Sequence, residues 1–315
     1  MPQHWNNFYD RFAAIAERFA GRIAVELQHR ESVERITYGE LRQHAEAAAG
    51  FLHSRNLQPG DKCAILADND IAWCAVYLGA LRVGALAVPL DTHYSPQQIA
   101  TLLRDSGAKM LFTTPRFAAD VEEARRLSGS AAELALLRGR HQDLPSFDEL
   151  QKKEWPALPA DNVTREDPAV ILYTSGTTSD PKGVVLTHGN LLAEADAVFR
   201  TVQIGAQDSV LGVMPLYHAL AQMANLLLPF VVGARVIYLE EISSSELLKA
   251  LRQHRPTVFC CVPQFFYLIH QRVLAKVAES GWTRRTLFRL LLRANAASRR
   301  LLGLNLGPLF FSAVH

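Results

Sequence analysis

The strongest constraint in this sequence is an alternation. Short apolar runs recur, and stretches with a helical apolar period separate them. Runs at 62–66, 85–90 and 110–113 read as strands, with helices expected over 70–83 and from Ser95 onward. Asn69 stands where the first of these helices wants a cap. Ser95-Pro96-Gln97-Gln98 joins a serine cap, a first-turn proline and a glutamine that closes a capping box. The pattern resumes with strands at 210–213, 234–239 and 257–261 and helices over 219–231, 244–254 and 264–278. Strands spaced by helices of this length imply an α/β fold of mostly parallel sheets with right-handed crossovers. Upstream, Thr37-Tyr38-Gly39-Glu40 is a second capping box, and Leu41, Ala45, Ala48 and Leu52 then fall on one face as a core stripe. Residues 140–164, with Pro145, Pro156 and Pro159, read as a surface excursion. At 315 residues the chain exceeds one ordinary domain, so two packed units or one large α/β unit are expected.

Composition excludes several classes. Hydrophobic residues are 49% and charged residues 20%, so the chain is globular rather than disordered. The formal charge of +2 is too balanced for a nucleic-acid binder. The cysteines, Cys63, Cys74, Cys260 and Cys261, form no C-x-x-C pair, which suits neither a zinc site nor a disulfide framework. A reducing cytoplasm is the expected compartment, and the first residues lack a basic-then-apolar leader. Residues 209–234 carry no formal charge, but Pro215, His218, Gln222, Asn225, Pro229 and Gly233 interrupt them. A buried helix flanked by turns is expected there, not a membrane span.

The chemistry is concentrated at 169–191. An apolar strand at 169–173 runs into Thr174-Ser175-Gly176-Thr177-Thr178-Ser179-Asp180-Pro181-Lys182-Gly183, and a second strand follows at 184–186. Small hydroxyl residues, free backbone N–H groups and one cation are the parts that hold a polyphosphate. A P-loop NTPase would need Gly-Lys-Ser/Thr leading into a helix. Here Pro181 precedes Lys182 and a β-like run follows, so that reading fails. The plain alternative is a hairpin loop rich in Ser and Thr.

Residues 174–183 resemble the phosphate-loop signature of the adenylate-forming (AMP-binding) superfamily, which includes acyl-CoA synthetases, peptide-synthetase adenylation domains and firefly luciferases. Ser179 departs from the glycine usual at its position, which bears on loop mobility. Met214-Pro215-Leu216-Tyr217-His218-Ala219-Leu220 resembles the family's next core motif, beside the acyl pocket. Amino-acid-activating relatives commonly carry Asp where His218 stands. A neutral imidazole supplies no fixed negative charge for an ammonium, so a plain carboxylic acid is favoured. Residues 260–267, with Phe265, Phe266 and Tyr267, resemble the strand–Val-Pro–helix segment of long-chain acyl-CoA synthetases. Those rings read equally as an acyl tunnel wall or as core packing.

The resemblance covers essentially the whole chain and is closest to bacterial medium- or long-chain fatty acyl-CoA synthetases. It implies two interleaved, doubly wound, mostly parallel sheets. One sub-unit would span about 55–199, with the phosphate loop, and the other about 1–54 plus 200–315. It also implies ATP, Mg2+ and coenzyme A, with a carboxylate forming an acyl-adenylate and a thiol then displacing AMP. Thr174, Ser175, Gly176, Thr177, Thr178 and Lys182 would hold the phosphates, with Thr177 also near the metal. Lys182 and His218 are the catalytic candidates, and Tyr217, His218 and Phe265 would border the acid. The family's Gly-rich adenine loop, Tyr-Gly-x-Thr-Glu motif, ribose Asp and late Lys do not occur by His315. The final apolar run reads as a domain cut midway, and this stretch alone is expected not to turn over.

Two further readings stay open. A fatty acyl-AMP ligase would pass the acyl group to a carrier protein, and a non-catalytic remnant would only bind. Residues 271–301 hold Arg272, Lys276, Arg284, Arg285, Arg289, Arg293, Arg299 and Arg300 against Glu279, with leucines interleaved. This segment reads as a contact for anionic membrane or as a solvated or covered helix face.

Overall fold

The computed structural model describes residues 5–158, 162–174 and 182–310. The chain forms two compact units, Met1–Cys260 and Cys261–His315. In chain order the first holds α1 (Phe8–Arg18), β1 (Ile23–Gln28), β2 (Val33–Thr37), α2 (Tyr38–Ser54), β3 (Lys62–Leu66), α3 (Ile71–Arg82), β4 (Leu86–Pro89), α4 (Pro96–Ser106), β5 (Met110–Thr113) and α5 (Ala118–Ser128). It continues with β6 (Glu133–Leu136), α6 (Phe147–Leu150), β7 (Pro168–Thr174), β8 (Lys182–Thr187), α7 (His188–Val198) and β9 (Ser209–Leu211). Then come α8 (Ala219–Gln222), a π-helical turn (Met223–Leu227), α9 (Leu228–Phe230), β10 (Arg235–Leu239) and α10 (Ser244–His254). The second unit holds α11 (Pro263–Glu279), α12 (Trp282–Leu302) and α13 (Gly307–Phe310).

Two sheets organise the first unit. The larger has the order β6-β5-β3-β4-β7-β8 and is parallel except for β8. The smaller has the order β2-β1-β10-β9, with β1, β10 and β9 parallel and β2 antiparallel. Strand alternation sends Cys63 and Ile65 into one core and Ala64 and Leu66 into another, as a sheet covered on both faces requires. Helices α4 and α5 cover the second face through Ile99, Leu103 and Val121. On the first face α3 packs against β3 and β4 and also against β1 of the smaller sheet. A helix that touches both sheets has no solvent side. Its sequence is accordingly apolar all round, and Ile71 to Leu81 are all buried.

The α2–α3 crossing depends on small residues. Leu41, Ala45, Ala48 and Leu52 are fully buried, as their spacing predicts. A Cβ on Gly79 would lie 2.6 Å from the Ala48 Cβ and 2.8 Å from the Ala45 carbonyl oxygen. Glycine inside a helix is intrinsically unfavourable, so this one is retained for the close approach. We expect Gly79→Ala to lower stability by about 1–3 kcal/mol through overpacking, despite its better helix propensity. Gly21→Ala, at a position with nothing within 4 Å, is the control. Equal urea midpoints for the two variants would contradict this account.

Several boundaries differ from expectation, for identifiable reasons. The strand expected at 257–261 is a single bridge, Val258 to Val210. Its partner β9 has only three residues, so the ladder stops after Leu211 N–H bonds the Val258 carbonyl at 2.9 Å. The helix expected over 219–231 is interrupted by the π turn. Pro229 has no N–H to give the Asn225 carbonyl, and the Tyr238 hydroxyl takes that oxygen instead, at 2.7 Å. Asp70, not Asn69, caps α3, its carboxylate accepting from the Ala72 N–H at 2.6 Å.

In the second unit α11 and α12 pack on each other. No residue of α12 is buried, and Trp282, Leu287, Leu290, Leu301 and Leu302 are exposed. Among the described residues no helix is long and apolar enough to cross a membrane.

Candidate active site

The phosphate-loop candidate sits on the β7–β8 hairpin. Ala169 to Leu172 are buried and anchor β7 beside β4, so β7 leaves the same sheet edge as the carboxyl ends of β3 and β4. The antiparallel register closes on Thr174 opposite Lys182. Both side chains are exposed at the hairpin mouth. Ser175, Gly176, Thr177 and Thr178, together with Ser179 to Pro181, lie outside the described residues. Gly183 lets the strands close, since a Cβ there would come 2.9 Å from the Ile171 side chain and 3.2 Å from the Tyr173 ring. The Tyr173 hydroxyl donates to Asp105 at 2.6 Å and ties the hairpin to α4. Burial, then the Asp105 carboxylate, push that phenol above its usual range.

After β8 the chain turns directly into α7. Thr187 caps the helix in a capping box with Asn190. His188 then occupies the first helical position with no exposed surface. Its Nδ1 accepts the Phe8 backbone N–H at 3.3 Å. Burial pulls its pKa down to about 4, against the pull of Asp167 in the other direction.

The second motif forms a turn after β9, and side chains of the β3–α3 junction, of α8 and of the segment after β4 hold it. Asn69 Nδ2 donates to the Met214 carbonyl at 2.9 Å and lies 3.4 Å from that of Gly212. Its Oδ1 accepts the Leu216 N–H at 2.9 Å. Buried Gln222 donates to the Leu216 carbonyl at 3.2 Å and accepts the Tyr77 hydroxyl at 2.9 Å. The Tyr217 hydroxyl lies 3.3 Å from His93 Nδ1, just past the carboxyl end of β4. His93 Nδ1 is also 2.9 Å from Asp91. Burial opposes the Asp91 charge, but the His93 N–H, the His93 ring and the Tyr217 hydroxyl hold its carboxyl below the ordinary range. Burial, then Asp91, push the Tyr217 phenol up. Tyr217 is therefore buried and engaged, while His218 is exposed at the start of α8, its ring centroid 4.5 Å from that of Tyr217.

An apolar cavity of about 470 Å3 begins where this turn ends. Leu172 and Leu186 of the hairpin, Val198 of α7, Leu220, Met223 and Cys260 line it. Tyr217 and His218 thus stand at the head of the segment that walls the cavity. Phe265 belongs to α11 of the second unit, where it is half-buried. Among the described residues no group of three or more His, Cys, Asp or Glu side chains could hold a metal ion. The hydroxyl and ammonium at the hairpin mouth suit phosphate oxygens instead. Asn69, Gln222, Asp91 and His93 were invisible as site residues in the sequence, because their partners lie up to 147 positions away.

Strand ends of a mostly parallel sheet, meeting a loop from a second sheet, are where ligands bind in such folds. A family model described as AMP-binding enzyme matches residues 12–305. The chain belongs to the AMP-binding enzyme family. The crotonobetaine/carnitine–CoA ligase of Salmonella paratyphi A is 27% identical over 290 residues, covering 89% of this chain and 55% of the relative. The Escherichia fergusonii enzyme of the same name is 30% identical over 240 residues, covering 73% of this chain and 46% of the relative. A benzoate CoA ligase from Burkholderia xenovorans LB400 superposes with TM-score 0.74 at 28% identity, covering 82% of this chain and 51% of that one. The N-terminal domain of FACL13 from Mycobacterium tuberculosis shares the fold, with TM-score 0.74 at 22% identity over 85% of this chain and 65% of that chain. This AMP-binding chain spans about half the length of the curated relatives it matches.

Proposed function

We propose that this chain is the phosphate- and acid-binding part of an AMP-forming acid–thiol ligase whose acid is an aliphatic, fatty carboxylic acid. The observation that carries the reading is the apolar cavity that opens directly after His218. Its size is within the range of small-molecule sites, about 300–1,000 Å3. Glu194 is its one acidic or basic described side chain, and no aromatic ring of the described residues lines it. A quaternary ammonium acid is ordinarily held by aromatic faces. An alkyl chain needs only the leucines and valines present here.

In the reaction a carboxylate oxygen attacks the α-phosphorus of ATP, the P–O bond to pyrophosphate breaks, and a mixed anhydride with AMP results. The thiol sulfur of coenzyme A then attacks the acyl carbon, and AMP leaves. Two anions must meet in the first step, so the protein supplies positive charge and oriented donors. In this reading Thr174 and Lys182, with Ser175, Gly176, Thr177 and Thr178 between them, hold the β- and γ-phosphates. Thr177, which lies outside the described residues, is the residue that would hold magnesium by the family resemblance, and the ion would supply further positive charge to the phosphates. His218 and Tyr217 border the carboxylate.

The test is ATP–pyrophosphate exchange by the intact gene product with octanoate, dodecanoate, benzoate and carnitine. Dodecanoate or octanoate should drive exchange and carnitine should not; the reverse order would overturn the substrate assignment. On the 315-residue chain carrying Cys261→Ser, which removes the other half-buried thiol, dodecanoate should slow maleimide labelling of Cys260 in the cavity wall, whereas Cys63 and Cys74 are buried. Unchanged labelling at saturating acid would detach the cavity from the acid. The 315-residue chain alone is expected to show no exchange, because the adenine loop, the Tyr-Gly-x-Thr-Glu motif and the late lysine of the family pattern do not occur in it.

The exposed leucines and arginines of α12, which carries no acidic residue, support a second reading for that helix alone, contact with an anionic lipid surface. Binding to phosphatidylcholine vesicles that does not rise with phosphatidylglycerol content would dismiss it.

A further inference from the structure

We infer that Asn69 is a positioning residue of the acid site, holding the 212–218 turn in the single conformation that presents His218. This rests on the proposed reading of Tyr217 and His218 as the acid border. The turn leaves β9 after three residues, and beyond the Gly212 N–H, which still donates to the Ile237 carbonyl of β10 at 2.8 Å, the 213–217 backbone runs outside the sheet ladder. Buried groups of that kind must be satisfied elsewhere. Here two side-chain amides do it. Asn69 holds the Met214 carbonyl and the Leu216 N–H, both at 2.9 Å. Gln222 holds the Leu216 carbonyl at 3.2 Å. Leu216 is thereby fixed at both its N–H and its carbonyl, two residues before His218. Tyr217, the residue between, is fixed through its hydroxyl at His93.

The demand on position 69 is specific. The side chain must donate to one carbonyl and accept from one N–H about two residues away, which a carboxamide does and a carboxylate does not. Asn69 immediately precedes α3, whose cap Asp70 accepts the Ala72 N–H at 2.6 Å. Asn69 therefore transmits the position of the β3–α3 junction, in the larger sheet, to a turn that belongs to the smaller one. Misplacing a substrate-positioning group by about 1 Å costs on the order of 100-fold in rate.

The experiment has two readouts. On the 315-residue chain, hydrogen exchange of the 214–218 amides should rise at least about tenfold in Asn69→Ala, with the β3 amides unchanged. Asn69→Asp, which keeps the acceptor for Leu216, should lie between. In the intact gene product, Asn69→Ala should raise KM for the acid on the order of 10- to 100-fold and leave KM for ATP within about twofold. Arg138→Met disrupts the neighbouring Asp70 pair without touching the turn, and it should lower stability while leaving KM for the acid unchanged. Equal shifts in both KM values, an acid KM in Arg138→Met that moves like that of Asn69→Ala, or unaltered exchange at Leu216 would overturn the positioning role. A wild-type protein that activates no acid overturns the function reading and the acid role together, and the exchange data then decide the clamp by themselves.

Discussion

Acidification from pH 6.5 to 4 is expected to cost this protein about 3 kcal/mol through one imidazole, that of His188. The ring is fully buried, and its Nδ1 is the acceptor for the Phe8 N–H, which requires that nitrogen to be unprotonated. Burial lowers the folded pKa from 6.5 to about 4, while the unfolded chain titrates near the ordinary value. Between these values the unfolded state binds more protons. The contribution is therefore whole above pH 6.5, shrinks as the pH falls through the window, and is gone below about 4. The measurement is urea unfolding of wild type and His188→Met at several pH values between 7 and 4. Wild type should lose about 3 kcal/mol more than the variant across that interval. Parallel curves would remove His188 as the source.

Lys182→Ala is expected to lower acid-dependent ATP–pyrophosphate exchange by the intact gene product on the order of 100-fold or more, the scale for losing one preorganised charge-stabilising donor. Lys182 sits opposite Thr174 where the hairpin opens, exposed. An exposed side chain contributes little to folding, so the melting temperature should stay within about a degree or two. That separation makes the result informative. Loss of exchange with intact stability places the ammonium at the phosphates. Unchanged exchange would take Lys182 out of the site. Lys182→Arg should rescue only part, because a planar guanidinium does not replace a compact point charge.

How much of this was legible in the sequence depends on the range of the interaction concerned. Strands β3 and β5 and helix α10 stand where the alternation and caps predict, because their signals are carried by neighbouring residues. The capping boxes at Thr37 and Ser95 are likewise present. The β1–β2 hairpin and β6 were not legible. In β2 only Ile36 is buried, and β6 consists of Glu133, Leu134, Ala135 and Leu136, all residues that favour helix, so neither carries a strand signal of its own. Asn69 was misread for a related reason. Asn and Asp both cap helices, and residues 69 and 70 offer one of each. Only the carbonyls of a distant turn make Asn69 the tie and leave Asp70 to cap.

The sequence by itself determined the fold class, the hairpin that carries the hydroxyl-rich loop, and the family, since each is written in contiguous residues. The tertiary structure decided how the 212–218 turn is held, that Tyr217 is engaged while His218 stays open, and where the apolar cavity begins. Those features are made by side chains more than a hundred positions apart, such as Asn69 with Leu216 and Tyr77 with Gln222. Local propensity has no term for such pairs. They exist only once α3, packed between two sheets, has brought the carboxyl end of one sheet against the loop of the other.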